Sequence, residues 1–155
     1  MSQPPLDNAA AQAARALGIE VTVTRHGRVS SLAEAAAARG VQPRDIVKTM
    51  VVRRGAEDYL FVLVPGDAEI AWPKLRALLG VSRLSMPDAA TGRAVTGYER
   101  GTITPFGAST AWPVIADASI TGRRVSMGSG THGVALGMDA DAMLATLGAT
   151  VADIT

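Results

Sequence analysis

The alternation of apolar and polar residues predicts a series of short strands. Residues 19–24 (IEVTVT) alternate with the period of a half-buried strand, and residues 46–53 (IVKTMVVR) are rich in β-branched side chains. Residues 59–64 (YLFVLV) form a continuous apolar run, which is typical of a strand buried on both faces. A short turn joins the last two segments, so we predict a hairpin. Three further strands are predicted at residues 112–116, 124–127 and 134–138.

Helices are predicted where alanine-rich segments meet capping residues. Residues 6–17 lack β-branched side chains and end at Gly18. Ser31 with Glu34 three residues later forms a capping box, and Gly40 is the predicted end of that second helix. Shorter helical segments are predicted at residues 73–79, at residues 87–93, and from a cap at Asp139 to residue 147.

These elements predict one domain spanning residues 1–155. The chain has no low-complexity linker and no internal repeat, and its helices are too short and irregularly placed for a doubly wound parallel sheet. We therefore predict an α+β fold, in which a mixed, mostly antiparallel, barrel-like β-sheet is flanked by peripheral helices.

Composition narrows the function classes. Lysine and arginine total 15 against 14 acidic residues, and this balance of +1 excludes a broad basic surface of the kind that coats nucleic acid. Cysteine is absent, which removes disulfides, thiolate nucleophiles and cysteine-ligated zinc. The N-terminus does not resemble a secretory signal, and the longest strongly apolar run, six residues, is far shorter than the roughly 20 needed to cross a bilayer. We expect a cytoplasmic protein without a membrane partner.

Lys48 is one of only two lysines, and it lies within the second predicted strand. It shares a strand face with Ile46, Met50 and Val52, all apolar. Two interpretations remain open. The side chain could run along an apolar surface with its ammonium group in water, or it could present a cation at a pocket.

Two glycine-rich segments are candidate binding loops. Residues 97–107 (GYERGTITPFG) combine three glycines and a proline, which impose a specific backbone path able to direct N–H and C=O groups into a cleft. An ordinary wide turn between strands is the alternative. Residues 128–133 (GSGTHG) match the dinucleotide pattern G-x-G-x-x-G, but a strand-like segment follows and only 22 residues remain, so we reject that function. His26 and His132 have no neighbouring carboxylates at ligand spacing, and no metal or cofactor site is predicted.

Taken together, these segments resemble the YbaK/prolyl-tRNA synthetase-associated domain family of aminoacyl-tRNA editing deacylases. The resemblance rests on DIVKTMVV, YLFVLVPGD, GYERGTITPFG, PVIADASI and GSGTHGVAL, in that order. It implies a barrel-like α+β fold and hydrolysis of the ester that joins an amino acid to the terminal ribose of a mischarged tRNA. It also implies a substrate-assisted mechanism, in which a ribose hydroxyl and a loop-bound water move the proton.

The resemblance assigns Lys48 to the acceptor-end phosphate and residues 101–105 to the amino-acid pocket. The catalytic candidates are Lys48 and Gly101, and the substrate-binding candidates are His26, Thr49, Tyr98, Thr102, Ile103, Thr104, Pro105, Ser129 and His132. Tyr98 has a structural alternative, since its ring could pack under the loop.

Two departures from the family pattern concern the pocket. Some members that clear cysteinyl-tRNA have a tyrosine where this chain has His26, and an aspartate where it has Ala135, so a cysteine specificity is not transferred. We expect a free-standing trans-editing hydrolase acting on small amino acids, with the tRNA acceptor end as partner, a synthetase as a second candidate partner, and no DNA. A non-catalytic module that binds an aminoacyl-adenosine or a nucleotide-like ligand is the alternative, and a domain that interacts through its sheet edge is a third.

Overall fold

A computed structural model describes residues 8–155 of the chain. Its helices are α1 (Ala9–Ala16), α2 (Leu32–Arg39), α3 (Trp72–Leu79), α4 (Ala89–Thr96) and α5 (Ala140–Thr146). Its strands are β1 (Thr22–Arg25), β2 (Ile46–Gly55), β3 (Asp58–Pro65), β4 (Val114–Asp117), β5 (Arg124–Gly128), β6 (Val134–Asp139) and β7 (Thr150–Ala152). The first two residues of the predicted 6–17 helix lie outside the described residues.

Capping residues set most helix ends as predicted. The Ser31 hydroxyl accepts a hydrogen bond from the N–H of Glu34, and Gly40 ends α2 in the left-handed conformation that glycine adopts at low cost. Asp139 caps α5 in the same way. The segment predicted as 87–93 begins and ends later, because Asp88 is the residue whose carboxylate caps α4.

The α+β class and the mixed sheet are confirmed. Seven strands hydrogen-bond in the order β1-β6-β5-β2-β3-β4-β7. The long β2–β3 hairpin and the pairings of β6 with β1 and β5 are antiparallel, whereas β2–β5, β3–β4 and β4–β7 are shorter parallel pairings. Within residues 8–155 this order has two ends, β1 and β7, and strand β7 had not been predicted.

The main core lies on one face of the sheet and is shared by strands from β1 to β6. Because successive side chains alternate across a strand, Phe61 and Leu63 of β3 enter this core, whereas Leu60, Val62 and Val64 enter a smaller core under α3. Strand β3 is therefore buried on both faces, as its continuous apolar run predicted.

Strand β2 pairs unequally along its two edges, and this asymmetry makes room for a site. It pairs with β3 along almost its whole length, but with β5 only at Ile46 and Val47. Further on, the N–H and C=O of Arg53 bond to Ser85 at 2.7 and 3.1 Å. In the described part of the chain no strand covers residues 48–52 on that side, which we call the open edge of β2. Backbone alternation directs the N–H and C=O groups of Thr49 towards it.

Candidate active site

A cavity of about 310 Å³ lies against the open edge of β2. Its other walls are the start of α4 and the turn that contains Gly101 and Ile103. Four of the predicted site residues therefore line one cavity: Lys48, Thr49, Gly101 and Ile103. Apolar side chains from β2, Met86 and Pro87 form much of the rest of the lining, which also includes Arg39, Asp88, Arg100 and Gly128.

Lys48 is partly buried in this cavity and is held from one side. Its ammonium group donates a hydrogen bond to the carbonyl oxygen of Ala68 at 2.7 Å and lies 3.6 Å from a carboxylate oxygen of Glu69. The Glu69 side chain is 90% exposed, so this ion pair is screened by water and contributes little. An ammonium group has three donors, and an anion that enters the cavity can replace Glu69.

Thr49 carries a polar atom that the protein leaves unused. Its hydroxyl oxygen is buried and has no hydrogen-bond partner among the protein groups. Buried hydroxyl groups are nearly always paired, because leaving one unpaired costs about 1–3 kcal/mol. Thr49 therefore lines the cavity and also holds a buried hydroxyl that the protein does not pair.

A second cavity of about 710 Å³ adjoins the first, with Gly101, Gly128 and Arg39 in both linings. It contains three more predicted residues, His26, Thr102 and His132. The ring of His132 lies 2.9 Å from a carboxylate oxygen of Glu99, which holds the pKa of that carboxyl below its usual value. Burial lowers the pKa of His26, and the charge of Arg39 lowers it further.

Arg39 was not predicted from the sequence as a site residue. It is the last residue of α2, and its guanidinium reaches Ser126 of β5, with 3.4 Å between Nη1 and the hydroxyl oxygen. Its Nε is buried without a partner, and burial lowers the pKa of the guanidinium. A basic residue in the last turn of a helix is ordinarily explained by the helix dipole, so the sequence alone gave no signal of a buried site residue.

Glycines let the two candidate loops pack backbone against backbone. A Cβ on Gly128 would lie 2.9 Å from the carbonyl oxygen of Thr102, and one on Gly130 would lie 2.3 Å from the Tyr98 ring. The N–H of Gly130 donates to that same Thr102 carbonyl at 2.8 Å. The late glycine loop therefore fixes the position of the 101–105 turn.

The remaining predicted site residues line neither cavity, and each bonds to the protein itself. The Tyr98 hydroxyl donates to the carbonyl of Phe106 at 2.6 Å, which fits the alternative of a ring packed under the loop. The Ser129 hydroxyl donates to the carbonyl of Val134 at 2.8 Å. Thr104 is fully buried, and Pro105 lines a different cavity beside Phe106.

Comparison with known families decides what this pair of cavities belongs to. Residues 26–145 match the family model of the aminoacyl-tRNA editing domain. The chain belongs to the aminoacyl-tRNA editing domain family. The resemblance to the YbaK/prolyl-tRNA synthetase-associated proteins is thus confirmed, and the match contains both cavities.

Relatives of this editing domain include synthetases and separate proteins. The chain is 38% identical over 92 residues to a proline–tRNA ligase of Desulfovibrio desulfuricans, a match that covers 59% of this chain and 16% of the ligase. A solved structure described as a candidate trans-editing enzyme for prolyl-tRNA synthetase superposes with a TM-score of 0.82 at 27% identity, covering 99% of both chains. The structure of a hypothetical protein, APE2540, gives a TM-score of 0.85 at 26% identity, covering 94% of this chain and 98% of the other.

The glycine pattern at residues 128–133 has a structural use in this editing domain. It connects β5 to β6 and is followed by a strand, whereas a dinucleotide-binding loop is followed by a helix. Over residues 8–155 we find neither a cluster of three or more metal-ligating side chains nor a helix long and apolar enough to cross a membrane. Ala135 on β6 is buried and pairs with Gly128, but it lines neither cavity.

Proposed function

We propose that this editing domain is a trans-acting hydrolase that removes small amino acids from mischarged tRNA. The observation that carries the proposal is that Lys48 of β2 and the Gly101 turn line the same cavity. The similarity over 99% of both chains to a candidate trans-editing enzyme supports action in trans.

Lys48 holds the phosphate of the acceptor end. Lys48 lines the cavity, its ammonium group donates a hydrogen bond to Ala68, and its second neighbour, Glu69, is exposed and easily displaced. A phosphate is an anion that Lys binds as a point charge. Because the contact is local, a chain with a net charge of +1 can make it without a basic surface.

Ester hydrolysis proceeds with little help from protein acid–base groups. Of the described residues that line the first cavity, Asp88 alone has a carboxylate, and that carboxylate caps α4. Its hydrogen bonds to Thr91 lower the pKa of Asp88, which leaves it ionised and a weak base. A water molecule adds to the ester carbonyl, the bond to the ribose oxygen breaks, and a neighbouring ribose hydroxyl relays the proton to that oxygen.

Gly101 lines both cavities and adopts a φ of 89°. It therefore presents backbone rather than a side chain to the substrate, and we assign it the positioning of the attacking water. Ile103 and the apolar side chains of β2 bound the space for the amino acid. Such walls exclude large side chains more strongly than they separate small ones, since a methylene group in a hydrophobic pocket contributes only about 1–3 kcal/mol.

The experiment is a deacylation panel. The protein is incubated with tRNAs charged with alanine, serine, cysteine, threonine or proline, and release of the amino acid is measured. We expect release from at least one of them, and loss of it in Lys48→Ala. Lys74→Ala is the matched control, because the other lysine pairs with Asp153 on an exposed surface.

If the unmodified protein releases the amino acid from none of the tRNAs faster than Lys48→Ala does, the proposed hydrolase activity is refuted. If the unmodified protein still bound an acceptor-end RNA through Lys48, the non-catalytic binding module would replace it.

A further inference from the structure

The titratable side chains that line the second cavity are all basic. Arg28, Arg39, His26 and His132 line it, and none of its described lining residues is acidic. The ring of His132 is bonded to the Glu99 carboxylate, and His26 has a lowered pKa that favours its neutral form at pH 7. The fixed positive charges of the cavity are therefore the two arginines.

Arg39 is the more buried of the two, whereas Arg28 is exposed to water. Its Nε has no partner, its side-chain hydrogen bond to Ser126 is long at 3.4 Å, and within residues 8–155 no carboxylate forms an ion pair with it. A partly buried cation without a counter-ion loses some of its hydration, and an entering anion would offset that loss. The planar guanidinium also matches two phosphate oxygens at once, which an ammonium group cannot do.

We propose that Arg39 binds a second phosphodiester of the acceptor strand, the one that precedes the phosphate held by Lys48. Arg39 lines both cavities and Lys48 only the first, so the strand runs from the first cavity past Arg39 into the second. Four glycines of the second cavity, Gly27, Gly101, Gly128 and Gly133, leave room for a nucleic-acid backbone. The identity of the ligand as RNA rests on the proposed function.

The test measures binding of uncharged RNA hairpins that end in a single-stranded acceptor sequence. One hairpin is unmodified, one has a neutral methylphosphonate at the last phosphodiester, and one has it at the preceding phosphodiester. Each is titrated against the wild-type protein, Arg39→Gln, Arg39→Lys and Lys48→Ala over a range of salt concentrations. Arg25→Gln is the matched control, since it removes one charge from an exposed strand residue outside both cavities.

We expect Arg39→Gln to weaken binding of the unmodified hairpin about 10- to 100-fold. The slope of log K against log salt should fall by about 0.7, the value for one single-stranded phosphate contact. Arg39→Lys should recover the slope but only part of the affinity. The hairpin neutralised at the preceding phosphodiester should bind wild type and Arg39→Gln equally.

Three results would overturn the inference. The first is an unchanged slope and affinity in Arg39→Gln. The second is an Arg39→Gln effect that persists with the hairpin neutralised at the preceding phosphodiester. The third is Arg39-dependent binding of inorganic phosphate with no Arg39-dependent binding of RNA, which would make the cavity a site for a free anion. Thermal unfolding of Arg39→Gln, and Arg28→Gln as a second variant on the same wall, separate loss of the contact from loss of the fold.

The outcome is independent of catalysis because no ester is present. If Lys48→Ala loses binding and Arg39→Gln does not, the proposed function stands and this inference fails. If Arg39→Gln loses binding while the deacylation panel is negative, this inference stands and the proposed function fails.

Discussion

Thr49 offers a test in which stability and activity should change in opposite directions. In Thr49→Val a methyl group replaces a buried hydroxyl that has no protein partner. Because an unpaired buried hydroxyl costs about 1–3 kcal/mol, and valine suits a strand as well as threonine does, we expect a gain of about 1 kcal/mol in the free energy of unfolding. For a domain of this size that raises Tm by about 2–4 °C.

The matched control is Thr96→Val. The Thr96 hydroxyl is buried too, but it donates to the carbonyl of Gly92 at 2.7 Å and accepts from the N–H of Tyr98 at 3.1 Å. Removing it leaves those groups unpaired, so we expect a loss of about 1–3 kcal/mol. The same chemical change should therefore stabilise the protein at one position and destabilise it at the other.

Activity supplies the second half of the test. If the Thr49 hydroxyl bonds to the substrate, Thr49→Val should lower kcat/KM for the best tRNA of the deacylation panel roughly 2- to 10-fold, the equivalent of one neutral hydrogen bond. The measurements are thermal unfolding and initial rates of amino-acid release. The reasoning is refuted if Thr49→Val destabilises the protein as much as Thr96→Val, or if it is more stable and fully active.

Three further outcomes follow from other contacts. Gly128→Ala places a Cβ 2.9 Å from the Thr102 carbonyl oxygen and should cost about 1–3 kcal/mol in denaturant unfolding, whereas an unchanged midpoint would show that the loops separate freely. The pKa of His26, measured by NMR, should lie below 6.5, so the stability that neutral His26 contributes is complete above pH 6.5 and declines as the pH falls towards the lowered pKa. Arg39→Gln should raise the pKa of His26, and a lower pKa in that variant would contradict the assigned cause. Tyr98→Phe should lose about 0.5–1.5 kcal/mol of unfolding free energy with the hydrogen bond to Phe106, and equal stability would count against that bond.

Gly92→Ala is the control for Gly128→Ala. A Cβ on Gly92 meets nothing within 4 Å, and the residue lies within α4, so alanine there should stabilise the protein by about 0.5–1 kcal/mol.

Local signals in the sequence predicted local structure well. The β2–β3 hairpin follows from two apolar runs and a turn, and the ends of α2 follow from Ser31 and Gly40. Strand β7 was missed because it has three residues, none of them buried, and it depends on a parallel partner some 35 residues earlier in the sequence. Parallel pairing leaves no turn signal in the sequence.

The candidate site divides along the same line. Lys48, Thr49 and Gly101 were predicted and line one cavity. Arg39 was not predicted, because its contact with Ser126 joins residues 87 positions apart and follows from the placement of α2. The sequence could also not separate residues that line a cavity from those that support its wall, as with Thr104.

The open edge of β2 is held in place at both of its ends. It is pinned at one end by the pairing with β5 at Val47 and at the other by the two hydrogen bonds between Arg53 and Ser85, a window about 20 Å long at the strand's rise per residue. A main-chain segment held at both ends moves little, whereas a wall made of side chains yields by changing rotamers. The backbone of this window should therefore keep its position when side chains around the cavity are substituted.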